Sequence, residues 1–169
     1  MLEAAAAANS QVPASLLRQQ ALTETEPNLR ERAAYLAGGR ADLNDFSDLL
    51  RHSDLRIRQG FLQGLLKTHP QHPAALAELN ALMKAGRVAE KQTAMTIIQV
   101  MPPRPEYVTF VRTNLDADEP MLVQTALQTA GSLGDTDLYR QVIKRLALQP
   151  LLGRKRLKKD QKNRIEQRP

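Results

Sequence analysis

The stretch LDADEPMLVQTALQTAGSLGD, residues 115–135, opens on carboxylates, runs through an apolar stripe and closes on glycine. From Val123, small or apolar residues follow at Ala126, Leu127 and Ala130, one face of a helix. The stretch holds no set of side chains suited to chemistry. Its interest is that it recurs. In SDLRIRQGFLQGLLKTHP the same offsets from Ile57 reach Gly60, Phe61 and Gly64. In PNLRERAAYLAGG they lead from Leu29 to Arg32, Ala33 and Leu36. In RVAEKQTAMTIIQVMPP they lead from Lys91 to Ala94, Met95 and Ile98, with Val88 as an alternative anchor. The anchors stand 28, 34 and 32 residues apart. Repeats of that length describe stacked units that bury each other's apolar faces. The small column Gly60, Ala94 and Ala126, broken by Arg32, marks where neighbouring helices approach closely.

Each of these helices has an apolar segment before it: ASLLRQQAL, DLNDFSDLLR, PAALAELNALMK and PEYVTFVRTNL. Gly38-Gly39, Pro70, Pro73, the prolines at 102, 103 and 105, and Gly134 punctuate the series. Acidic residues precede several second helices (Glu24, Glu26, Asp54, Glu90, Asp116, Asp118, Glu119), where carboxylates cap free N–H groups. TDLYRQVIKRLALQP, residues 136–150, reads as a further first helix, with Leu138, Val142, Ile143 and Leu146 on its apolar side. No amphipathic partner follows it; it is expected to cap the series, the alternatives being an edge that receives another chain or a longer sequence of which this is a fragment.

The pattern DxDEPxLVxxALxxxGxLGD resembles the second half of a HEAT repeat, of the short kind also found in phycobilisome-lyase-like proteins. EPNLRERAAYLA and SDLRIRQGFLQGL share its acidic turn, apolar–Arg step and small residue. Arg30 and Arg58 hold the family's arginine position, and Gln92 and Gln124 stand there in the later units. The resemblance spans about residues 14–148. It implies an all-α fold, a right-handed α-α superhelix of about four helix pairs plus a terminal helix, in which the arginine ties successive turns together. Two helical alternatives stay open. HPAALAELNALMKAGRVAEK has tetratricopeptide character, and an irregular helical bundle is the third possibility.

Composition agrees with thin helical layers. Of 169 residues 42% are apolar but only 4% aromatic, so a core here must be aliphatic. There is no cysteine, which excludes disulfides, thiolate zinc sites and thiol nucleophiles. No apolar run approaches the roughly 18 residues of a membrane span. MLEAAAAANSQVP lacks the basic and long apolar regions of an intact signal peptide. A cytoplasmic protein is expected, or a periplasmic one if a signal peptide has been removed. Residues 1–13 read as a flexible segment, 14–150 as the repeat domain and 151–169 as a basic tail. Residues 154–169, RKRLKKDQKNRIEQRP, carry eight basic and two acidic side chains. The remainder has sixteen of each, so the net charge of +6 belongs to the tail.

Several motifs reduce to structure. His69 and His72 in KTHPQHP are spaced for a metal, but Pro70 and Pro73 make them an inter-unit turn. DLNDFSD lacks the Gly and Glu of a calcium loop and reads as helix capping. MPPRPEY reads as a rigid turn opening a helix, and His52 as solvated. No catalytic constellation and no cofactor site is expected. The function expected is a non-catalytic protein–protein interaction or assembly scaffold. Its binding face would be the inner side of the second helices: Arg30, Glu31, Arg58, Gln59, Gln63, Gln92, Thr93, Gln124, Thr125 and Gln128. A protein or peptide is the expected partner. Two other readings are nucleic-acid association through Arg154, Lys155, Arg156, Lys158 and Lys159, and a subunit of a lyase-like enzyme.

Overall fold

A computed structural model of the protein describes residues 12–40, 46–144 and 147. All regular structure among these residues is helical. In chain order the helices are α1 Ala14–Thr23, α2 Pro27–Gly38, the short α3 Ser47–Leu50, α4 Leu55–Thr68, α5 Pro73–Lys84, α6 Val88–Ile98, α7 Pro105–Leu115 and α8 Pro120–Leu133. A further helix, α9, begins at residue 136 and is described to 144.

Local chemistry explains where they start. Pro27, Pro73, Pro105 and Pro120 each open a helix, where the missing N–H costs nothing and φ is already helical. Glu26 accepts from the Asn28 N–H at 3.4 Å and Asp54 from the Arg56 N–H at 2.9 Å. Glu119 precedes α8 without a cap bond. Glu90 falls inside the first turn of α6, behind an Arg87 N-cap. The KTHPQHP turn ends on a cap: His72 Nδ1 accepts the Ala75 N–H at 3.1 Å. His52 is partly buried rather than solvated, and its Nδ1 accepts the Asp54 N–H at 3.0 Å. Gly134 ends α8 in the left-handed region, at φ 65°.

The helices pair in chain order. α1 packs on α2, α3 on α4, α5 on α6 and α7 on α8, while the second helices also pack in series, α2 on α4, α4 on α6 and α6 on α8. Between them lies an aliphatic core that includes Leu17, Leu49, Ile57, Leu62, Leu66, Leu79, Ile97, Ile98, Val111 and Leu115. The rings it contains are few: Phe46 and Phe61 tilt together at 6.3 Å, and Tyr107 is buried. Leu138 of α9 is fully buried and Val142 packs on the core, whereas Ile143 is 65% exposed. Leu146, expected on the same side, lies outside the described residues.

The repeat is in different register from the one the apolar spacing suggests. Leu29 is exposed, so it is no anchor, and α2 buries Ala33, Ala34, Ala37 and Gly38. Counted from the N-caps Glu26, Asp54, Arg87 and Glu119, the equivalent column is Ala33, Phe61, Ala94 and Ala126. That column is small except at Phe61, and Arg32 lies one position before it, where Gly60, Thr93 and Thr125 stand. Gly60 nonetheless stands at a close helix approach, as its place in the small column read from the sequence predicts. A Cβ on Gly60 would collide with the Glu31 carbonyl oxygen, one on Gly64 with that of Tyr35, and one on Gly38 with that of Phe61. α2 and α4 thus touch backbone to backbone, and Gly38 is a packing residue rather than a helix stop.

Candidate interaction surface

Polar side chains bridge the second helices in a series of rungs. Across α2 and α4, Arg56 Nη1 donates to Asn28 Oδ1 at 3.4 Å, Gln59 Nε2 to Glu31 Oε1 at 2.8 Å, and Lys67 Nζ to the Tyr35 hydroxyl at 3.1 Å. Residues three or four apart share a helix face, so 28, 31 and 35 form one stripe and 56, 59, 63 and 67 another. From the α4 stripe, Gln63 Nε2 reaches α6 and donates to the Thr96 carbonyl at 2.9 Å. From α6, Gln92 Nε2 donates to the Met121 carbonyl at 3.2 Å and to Thr125 Oγ1 at 3.3 Å. Gln99 Nε2 donates to Thr129 Oγ1 at 3.0 Å. Each rung joins residues 28 to 33 positions apart, the period of the sequence itself.

Seven of the ten residues expected to contact a partner fall into three groups. Arg30 and Arg58 tie one unit to the next. Arg30 Nη2 lies 3.2 Å from Asp54 Oδ2, and Arg58 Nη1 donates to Glu78 Oε1 at 2.9 Å, with those two side chains 17% and 13% exposed. Gln59, Gln63 and Gln92 are partly buried and spend their amide donors on the rungs. Gln124 and Gln128 are exposed on α8. Thr93 is buried at 5% and faces the core instead. Arg32, Tyr35, Arg56 and Lys67 were not among the expected contact residues. The signal for Arg56 is the spacing, since Asn28 and Arg56 are as far apart as Leu29 and Ile57.

Elsewhere, ionised groups serve the fold. Arg18 of α1 grips Asp48 of α3 through Nε and Nη2, the shortest contact being 2.7 Å, and this holds the Asp48 carboxyl below its ordinary pKa. Backbone N–H groups of Glu26 and Thr25 lower Glu24 likewise. Burial raises the Tyr107 phenol. Arg104, in the proline turn, donates from Nη2 to the Pro70 carbonyl at 3.3 Å and to Gln71 Oε1 at 3.0 Å. A small cavity of about 90 Å³ lies between α3, α4 and α5, lined by Phe46, Leu50, Phe61, Leu65 and His72. Among the described residues no group of three His, Asp or Glu is placed to hold a metal ion. No helix among them is long and apolar enough to cross a membrane. Arg154, Lys155, Arg156, Lys158 and Lys159 lie outside the described residues, as do Asp42, Asn44 and Asp45 of DLNDFSD.

No protein-family model, no curated protein and no solved structure matches the chain.

Proposed function

We propose that the chain is a non-catalytic protein–protein interaction scaffold, a short HEAT-like right-handed α-α superhelix whose second helices form the binding face. One observation carries this reading. The rungs from Asn28–Arg56 to Gln99–Thr129 join four second helices side by side, each between residues 28 to 33 positions apart. Such a strip is held in shape by its own side chains. A rigid, pre-arranged surface loses less entropy when a partner docks. The resemblance of the acidic-turn and Arg30/Arg58 pattern to HEAT repeats supports the same reading.

Photo-crosslinkers placed at Gln128 and at Thr113 compare the two sides of the last pair; both positions are exposed. Crosslinking to defined proteins from Gln128 alone is the expected result. Equal labelling from α7 and α8 would sink the reading. The tail supports a second function, since it carries the entire net charge of +6. Nucleic-acid binding through it would fall steeply with salt and vanish on removal of residues 154–169.

A further inference from the structure

The charge along the strip is uneven, and that unevenness selects a partner. α2 and α4 together contain five cationic residues, Arg30, Arg32, Arg56, Arg58 and Lys67, against one carboxylate, Glu31. Arg30 and Arg58 are neutralised by Asp54 and Glu78. Among the described residues, no carboxylate stands within ion-pair distance of the other three. Two of them flank one ring. The Arg32 guanidinium lies 5.2 Å from the centre of Tyr35 and the Lys67 ammonium 5.9 Å from it, with Lys67 also bonded to the hydroxyl. The ring holds both cations in place without cancelling their charge. At the other end, α8 has no ionisable side chain from Pro120 to Leu133, and Met121, on the stripe of Thr125 and Gln128, is 63% exposed.

We propose that the strip binds an extended acidic peptide, with its carboxylates over Arg32, Tyr35 and Lys67 and an uncharged, partly apolar half over α6 and α8. This rests on the protein-binding reading above and names the partner's chemistry. A carboxylate beside Arg32 or Lys67 meets a cation with no ion-pair partner of its own, and Arg32 keeps donors free for a two-pronged contact. Four helices at about 8–10 Å spacing offer a strip of roughly 25–30 Å, the length of about eight extended residues. A nucleic acid fits less well. Its charge is uniform along the chain, and α8 offers nothing to phosphates.

The test is amide NMR on the intact chain, titrated with a synthetic peptide of about ten residues. Its first half is glutamate and its second half serine and leucine. The controls are its Glu→Gln version and a single-stranded oligonucleotide of similar length. The acidic peptide is expected to shift amides near Arg32 and Lys67 together with those of Met121 to Gln128. The double variant Arg32→Gln, Lys67→Gln should weaken binding about tenfold, with unchanged circular dichroism. Arg112→Gln, on α7, should leave binding as it was. Equal binding of the Glu→Gln peptide to the strip overturns the charge selection and leaves the protein-binding reading standing. Shifts confined to residues 154–169, or displacement from the strip by the oligonucleotide, overturn the proposal. If neither peptide touches the strip, crosslinking at Gln128 decides the matter. A partner captured there means only the acidic chemistry is wrong, whereas no partner removes both readings.

Discussion

Gly60 and Gly131 are both helical glycines, yet their surroundings differ. A Cβ at Gly60 meets the backbone of α2, whereas one at Gly131 meets nothing within 4 Å. Gly60→Ala should therefore force α2 and α4 apart and cost about 1–3 kcal/mol, as over-packing does. Gly131→Ala should raise stability by about 0.5–1 kcal/mol, because alanine restricts the unfolded chain more. Urea denaturation of the two variants reads both signs. Shifts of the same sign would mean that the close seam is misplaced. Asp48 offers a pH test at the same scale. Its pKa is depressed from an ordinary value of 3.8 by Arg18. A depressed carboxylate adds stability above its unfolded pKa and loses it as pH falls through the folded one. The Arg18 and Asp48 side chains are 42% and 41% exposed, so screening limits the effect to about 1 kcal/mol. Asp48→Asn should thus melt slightly earlier than the parent at neutral pH. The gap should close as the solution is acidified below about pH 4. A gap that persists at low pH would point to something other than the ion pair.

Among the helices, equivalent caps are unequal in strength. Asp54 both accepts the Arg56 N–H and pairs with Arg30 from the preceding unit. Glu119 occupies the same place before α8 and does neither. Asp54→Ala should cost about 1–2 kcal/mol, and Glu119→Ala should change stability by less than about 0.5 kcal/mol. Chemical melts of both variants provide the comparison, and equal losses would refute the ordering. The difference shows what the capping pattern in a sequence can convey. A carboxylate before a helix says where the helix starts. Whether the side chain turns back to cap it depends on what else it can reach. Asp54 is held by Arg30 from the unit before; Glu119 has no such neighbour.

For the molecule as a whole, packing in chain order has a consequence for cooperativity. α4 and α6 are covered on both sides by other second helices, while α2 and α8 each have one such neighbour. Stability in a linear stack is a sum of local and nearest-neighbour contributions, so opening should begin at the ends. Hydrogen exchange followed by mass spectrometry should find the slowest amides in α4 and α6 and faster ones in α1 and α9. Uniform protection across all of them would argue for a single central core and against the superhelix proposed here.

Helix content, the positions of most helix starts and the pairing into units were legible in the sequence, because proline at N1, capping groups and 3.6-residue periodicity are local rules. The same is true of the period, which the rungs reproduce. Close approach at Gly60 was legible as well, but tertiary structure alone showed that Gly38, which reads as punctuation, and Gly64 belong to the same backbone-to-backbone contact. It also decided which polar residues are available. Gln59, Gln63 and Gln92 differ from Gln124 and Gln128 in nothing that composition records; the first three bond to a neighbouring helix, and the last two face solvent. A side chain's periodicity is set by its own helix, but its freedom to bind is set by the helix beside it.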